Sequence, residues 1–301
     1  MQLTRRKLLG GLLALPLVPR WAISASRQKS QAPLPQDLPT RSYAGMTFVN
    51  PPGTHLDAAT KHPVSLGVLQ AVQDYYASRA LDPEYQDYQL PAQGPIKKFA
   101  RLVNAGTDEV TYVQSTTTGE QMVLRALGIP EAGGHIITDT LHFFGSLPIY
   151  SELRKQGMEV TFVRDRKGRI DIRDIEQAIR SDTRLISLSL VSTINGFSHD
   201  LKAVTRLAHR HGIRVYADII HAAGCIPLDL KSAGVDFAAC ASYKWLMGDF
   251  GLGFLYASKD ALSEVVRRNW GYYGLTGFTS HALPYDEPGD DVVDHAYGSD
   301  A

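Results

Sequence analysis

The sequence predicts an α/β protein, a mostly parallel sheet with helices on both faces. Segments with strand patterning and segments with helix patterning alternate from about residue 46 onward, and strands joined through helices pair in parallel. Several of the strand segments, residues 235–240 among them, are apolar runs suited to burial. Composition permits such a core: 44% of the 301 side chains are hydrophobic and 21% charged. That excludes a disordered, collagen-like or disulfide-scaffold chain, and the length allows one large domain or two of average size. The 31 basic and 31 acidic residues cancel, so no overall field recruits nucleic acid or a membrane surface. Small-molecule chemistry is the function class that remains.

The first residues stand outside the fold. Thr4-Arg5-Arg6-Lys7-Leu8-Leu9 precedes an apolar run from Leu12 to Val18 and small residues around Ala22-Ile23-Ser24-Ala25. This resembles a twin-arginine export signal ending in a cleavage site. The apolar run is broken by Pro16 and is too short to span a bilayer as a stable helix, so a membrane anchor is the lesser reading. Removing residues 1–25 leaves 27 basic against 31 acidic side chains, a mildly acidic balance of minus four. Twin-arginine export carries folded proteins, commonly with a cofactor bound. The resemblance therefore implies a periplasmic or extracytoplasmic location, the export machinery as a partner, and a cofactor.

Residues 26–45, rich in Gln, Pro and Ser and without periodicity, suit a linker or extended arm. The ordered body begins near Met46. Helical spacing marks residues 64–77 and 97–103, and strand patterning marks 110–113 and 135–138. Helices follow at 120–127, 147–156, 172–180 and 201–211, interleaved with strands at 159–163, 185–190, 213–218 and 235–240. The two cysteines, Cys225 and Cys240, lie in apolar surroundings without metal-ligand spacing, and are expected to be buried and free. No metal site is expected.

Ligands of parallel sheets collect at the carboxyl ends of the strands, and three loops there carry chemistry. Asp218 ends an apolar strand and is followed by Ile219-Ile220-His221; a carboxylate in that position is costly unless a cation or strong donor meets it. Alone, such an Asp also suits a helix cap or a surface loop. Lys244 sits between Tyr243 and Trp245, after a buried strand and before a glycine turn at 248–253. Burial there lowers the pKa of an amine and leaves it nucleophilic towards a carbonyl. Ser115-Thr116-Thr117-Thr118-Gly119 leads into a helix, and hydroxyls with free amides at a helix N-terminus suit a phosphate. Together the three loops fit one ligand with a phosphate, a ring nitrogen and an aldehyde.

In that order, the hydroxyl loop, Asp218-x-x-His221 and Tyr243-Lys244-Trp245-Leu246 resemble the class V aminotransferase superfamily of pyridoxal-phosphate enzymes. That superfamily includes cysteine desulfurases, selenocysteine lyases, isopenicillin N epimerases and kynureninases. Leu56-Asp57-Ala58-Ala59-Thr60 is similar to its opening segment, and the likeness runs over residues 46–278, most specifically from Asp218 to Lys244. The resemblance implies a fold type I large domain at 46–270, the start of a small carboxy-terminal domain at 271–301, and a homodimer with sites at the subunit interface. Lys244 would form the Schiff base with pyridoxal 5′-phosphate and then shuttle the α-carbon proton. Asp218 would pair with the protonated ring nitrogen, His221 would lie near the ring's phenolic oxygen, and His142 would stack on the ring. An ordinary half-buried loop histidine is the other reading of His142. Thr116, Thr117, Thr118, Ser242 and Tyr243 are the phosphate candidates.

The departures point away from the desulfurases. These usually carry His immediately before the lysine, where this chain has Tyr243, and an extra residue separates Lys244 from the glycine turn; both favour the kynureninase and epimerase side. The relatives' ring-contacting Asn is replaced by Thr193, with Asn195 displaced by two. Asn195 stays a candidate beside its reading as a turn-forming Asn-Gly. Trp270-Gly271-Tyr272-Tyr273-Gly274 is read either as a segment reaching a neighbouring subunit's phosphate or as a packed aromatic turn. Relatives continue for roughly another hundred residues, the size of a modest domain, with the arginine that binds the substrate carboxylate. The chain is thus expected to be a fragment of an enzyme acting on the amino group or α-carbon of an amino acid, by transamination, elimination or epimerisation. The alternative is a fragment that binds the cofactor or a partner without turnover. A dinucleotide-binding protein is disfavoured, because no Gly-x-Gly-x-x-Gly follows the first strand.

Overall fold

A computed structural model describes residues 40–43, 45–49, 54–81 and 93–268. The predicted export signal, most of the arm, the segment 271–301 and Trp270 to Gly274 lie outside the described residues. The described chain opens on an antiparallel ribbon, β1 (Thr40–Tyr43) against β2 (Met46–Val49), so the end of the arm is extended and paired with the start of the body. Two helices follow, α1 (Leu66–Leu81) and α2 (Gln93–Leu102). Helix α2 buries Ile96, Phe99 and Ala100, the i, i+3, i+4 spacing of one helix face.

The main sheet contains β3 (Val110–Val113), β4 (His135–Asp139), β5 (Glu159–Val163), β6 (Thr183–Ser189), β7 (Arg214–Asp218), β8 (Phe237–Ala241) and β9 (Gly253–Ala257). Its order is β3-β9-β8-β7-β6-β4-β5. From β8 to β5 every pair is parallel, while β9 runs antiparallel to both β8 and β3. The expected mostly parallel sheet is present. Its helices are α3 (Thr116–Ala126), α4 (Leu147–Lys155), α5 (Ile172–Ala178), α6 (Leu201–His209), α7 (Leu230–Ala233) and α8 (Lys259–Leu262).

Strand side chains alternate between two buried clusters. Ile137, Ile186, Val215 and Ala238 join residues of α2, α5 and α6. Their neighbours Ile136, Leu185, Tyr216 and Ala239 join Val123 and Leu124 of α3, Tyr150 and Leu153 of α4, and Ala261 of α8. Helices therefore cover both faces, which is why the central strands β4 and β8 are buried along their whole length. From β4 the chain moves outward to β5, then returns to the other side of β4 as β6 and continues to β7. The carboxyl ends of β4 and β6 thus flank a topological switch point, where open α/β sheets bind ligands.

Two expectations need correction. The helix expected at 120–127 starts at Thr116, because Ser115 caps it: its Oγ accepts the Thr118 N–H at 3.0 Å. Cys240 is buried and free as expected, but Cys225, also free, is exposed. It follows the buried Ala222 and Ala223 in a turn that leads the chain back to the surface. Among the described residues no helix is long and apolar enough to cross a membrane, and no group of His, Cys, Asp and Glu is arranged to hold a metal ion.

Candidate active site

Asp218 is the last residue of β7 and 3% exposed. Its Oδ1 accepts the Ile220 N–H at 2.9 Å, and its Oδ2 receives only a long contact from the Ser189 hydroxyl at 3.4 Å. No lysine, arginine or histidine forms an ion pair with it among the described residues. Burial pushes its pKa up to about 6, against the Ile220 hydrogen bond and the His142 charge. This is a buried carboxylate with cations near it but none in direct contact among the described residues, the setting in which a bound cationic group is best received.

Lys244 follows β8 in the turn Ser242–Met247 and is 7% exposed. Its Nζ donates to His221 Nε2 at 3.2 Å. Burial lowers the lysine pKa, partly opposed by the charges of Asp218, Cys240 and Asp57. Burial, helped by the Lys244 charge, pulls His221 down to about 4, so at neutral pH its ring is an uncharged acceptor. The two loops approach so closely that a Cβ on Gly224, itself at φ +86°, would lie 2.8 Å from the Trp245 carbonyl oxygen; only glycine meets both demands. The opening segment joins them: His62 N–H donates to the Tyr243 carbonyl at 3.1 Å, and the Asp57 charge reaches Lys244.

His142, in the loop after β4, is fully buried rather than half-buried. Its Nδ1 lies 2.8 Å from Ser189 Oγ and its Nε2 3.0 Å from Glu120 Oε1. The same Ser189 hydroxyl reaches Asp218 Oδ2, so His142 stands one hydroxyl away from that carboxylate at the switch point.

The phosphate candidates divide. Thr117 and Thr118 lie half-buried on the first turn of α3. Thr116 is buried, and its Oγ1 accepts the Ala241 N–H at 3.0 Å, tying α3 to β8. Ser242 donates its hydroxyl to the Asp249 carbonyl at 2.9 Å, which closes the glycine turn. Tyr243 stacks on Phe250 with ring centroids 4.4 Å apart, and Lys244 Nζ lies 5.8 Å from the Tyr243 ring centroid. Asn195 leaves the set: its Nδ2 donates to the Gly168 carbonyl at 2.8 Å and its Oδ1 accepts the Phe197 N–H at 2.9 Å. With Gly196 at φ +72°, this is the turn-forming Asn-Gly.

The aminotransferase class V family model matches residues 54–276. The chain belongs to that family. Among its class V relatives is a probable cysteine desulfurase of Methanothermobacter thermautotrophicus, 29% identical over 218 residues, 70% of this chain and 54% of the relative. The cysteine desulfurase CsdA of Escherichia coli has a similar structure: TM-score 0.66, 24% identity, 75% of this chain and 59% of that one covered. So has a C-DES mutant with glycine covalently linked to its PLP cofactor: TM-score 0.64, 20% identity, 75% and 62% covered. At those identities the two structures establish the fold. The chain spans 54–62% of the length of these relatives.

Within this class V chain the fold brings Lys244, Asp218 and His221, the residues of the sequence motifs, to one rim, whereas Glu120 and the serines of β6 belong to no motif. Glu120 is 1% exposed, although its place one residue after Gly119 reads as an ordinary helix carboxylate. The available signal was the spacing of three and four residues to Val123 and Leu124, which puts Glu120 on the buried side of α3.

Proposed function

We propose that this chain is a pyridoxal-phosphate enzyme acting on the amino group or α-carbon of an amino acid, with Lys244 as the residue that holds the cofactor. The carrying observation is the buried Asp218 carboxylate, which has no ion-pair partner among the described residues and lies close enough to the buried Lys244 amine for their charges to interact. The residues fit the cofactor. Asp218 would hold its ring nitrogen, the first turn of α3 with Thr117 and Thr118 its phosphate, and Lys244 Nζ its aldehyde carbon. Bound there, the cofactor supplies an electron sink for the bonds at the substrate α-carbon.

Neutral His221 accepts the Lys244 N–H, which orients the amine, while burial favours its uncharged, nucleophilic form. Once substrate displaces it, Lys244 Nζ is the base that takes and returns the α-proton. Cysteine is the first substrate to try, since the relatives are named as cysteine desulfurases. A second reading is cofactor binding without turnover. A homodimer and export by way of Arg5 and Arg6 belong to the same proposal, supported by the family resemblance and by the residues of the leader.

Purified protein given pyridoxal phosphate is expected to gain a visible absorption band and, after borohydride, a mass increment on the peptide containing Lys244. A colourless protein with unmodified Lys244 would overturn the proposal. Turnover of L-cysteine or another amino acid by the 301-residue chain would reject the non-catalytic reading, and binding without turnover across an amino-acid panel would favour it.

A further inference from the structure

Glu120 has no part in the roles above, yet it is the most enclosed carboxylate near the switch point, 1% exposed on α3. Oε1 accepts from His142 Nε2 at 3.0 Å, from Ser187 Oγ at 3.2 Å and from the Tyr150 hydroxyl. Oε2 accepts the Ser146 hydroxyl at 2.5 Å. Its donors come from the loop after β4, from α4 and from β6. No lysine or arginine pairs with Glu120 among the described residues. A buried carboxylate with neutral donors alone is poorly stabilised, so His142 is the cation available to it.

We propose that Glu120 is the positioning residue that keeps His142 doubly protonated and fixes its ring. In that state Nε2–H donates to Glu120 and Nδ1–H donates to Ser189 Oγ, which frees the Ser189 hydroxyl proton to point at Asp218 Oδ2. The direction of all three hydrogen bonds is then set by one carboxylate on α3. The other charges facing His142 are Asp139 of β4 and Asp218 of β7. The phenols of Tyr150 and Tyr216 are pushed well up by burial and by Glu120 and stay neutral. Burial opposes charge on both partners, but their attraction and hydrogen bonds win, lowering Glu120 and raising His142. The catalytic meaning rests on the proposed function, because Asp218 is the group meant to hold the ring nitrogen; the charge on His142 does not.

The test is ¹⁵N NMR of imidazole-labelled chain without added cofactor, with His142 assigned by H142Q. In the wild type both His142 nitrogens should be protonated at pH 7, with a midpoint above the ordinary 6.5. E120Q should lower that midpoint by about one pH unit or more, a tenfold fall in the ratio of charged to neutral ring, and E120D should restore part of it. A neutral His142 at pH 7 in the wild type, or an unchanged midpoint in E120Q, would overturn the proposal. If E120Q does not fold, the E120D titration decides the role of Glu120: a midpoint below that of the wild type is expected, and an unchanged one would overturn the proposal. Unmodified Lys244 after borohydride would sink the functional reading and leave this result standing.

Discussion

At Asp218 folding and function pull in opposite directions. Its pKa rises from 3.8 to about 6 on burial, so between those values the folded chain keeps a proton that the unfolded chain has released. Stability must therefore fall as pH rises through that window. D218N keeps an acceptor for the Ile220 N–H and removes the charge. Without cofactor it is expected to be more stable than wild type at pH 8, by at most about 3 kcal/mol, and no more stable at pH 4. Pyridoxal-phosphate binding should weaken at least tenfold. Urea denaturation at both pH values checks the first part; equal wild-type and D218N midpoints at pH 8 would show that Asp218 is not a strained acid. Lys244, Asp218 and His221 were legible because each lies at or just after the end of an apolar strand, a known place for chemistry. Glu120 was not, because Ser187, one of its donors, lies 67 positions away and no local pattern announces such a partner.

At the scale of an element, α3 carries the phosphate candidates and also the packing that holds them. A Cβ on Gly119 would stand 2.8 Å from the Ala239 Cβ of β8, so the first turn lies against the sheet with no room for a methyl group. G119A gains helix propensity yet should lose about 1–3 kcal/mol to overpacking and shift Thr117 and Thr118 away from the rim. Thermal denaturation measures the first effect and pyridoxal-phosphate affinity the second; a stabilised variant with unchanged affinity would mean that α3 lifts from β8 at no cost. The apolar periodicity of α3 in sequence begins only at 120, four residues after the helix itself. Ser, Thr and Gly have low intrinsic helix preference, and the gain from the Ser115 cap and the contact with Ala239 is invisible until the sheet is assembled.

Across the whole molecule, Asp236 ties separate layers together just ahead of β8. Its Oδ1 accepts from Arg214 of β7 at 2.7 Å, and its Oδ2 from His209 of α6 at 2.9 Å and from the Val215 N–H at 2.8 Å. It is 2% exposed, and its backbone carbonyl accepts the Ser258 N–H after β9 at 2.8 Å. Breaking such a buried cluster from one side leaves its donors unpaired, so D236A should destabilise the chain by about 3 kcal/mol, read from the urea midpoint. A loss below about 1 kcal/mol would mean that the cluster acts as a surface ion pair. The alternation of strand and helix, and with it the parallel sheet, was determined by sequence alone, because periodicity is a property of neighbouring residues and each strand or helix writes its own. So was the order of the three chemical loops. The strand order β3-β9-β8-β7-β6-β4-β5, the depth of His142 and the Glu120 cluster beneath it were decided only in three dimensions. Each depends on which distant segments exclude water together, and burial, unlike periodicity, belongs to the assembled protein.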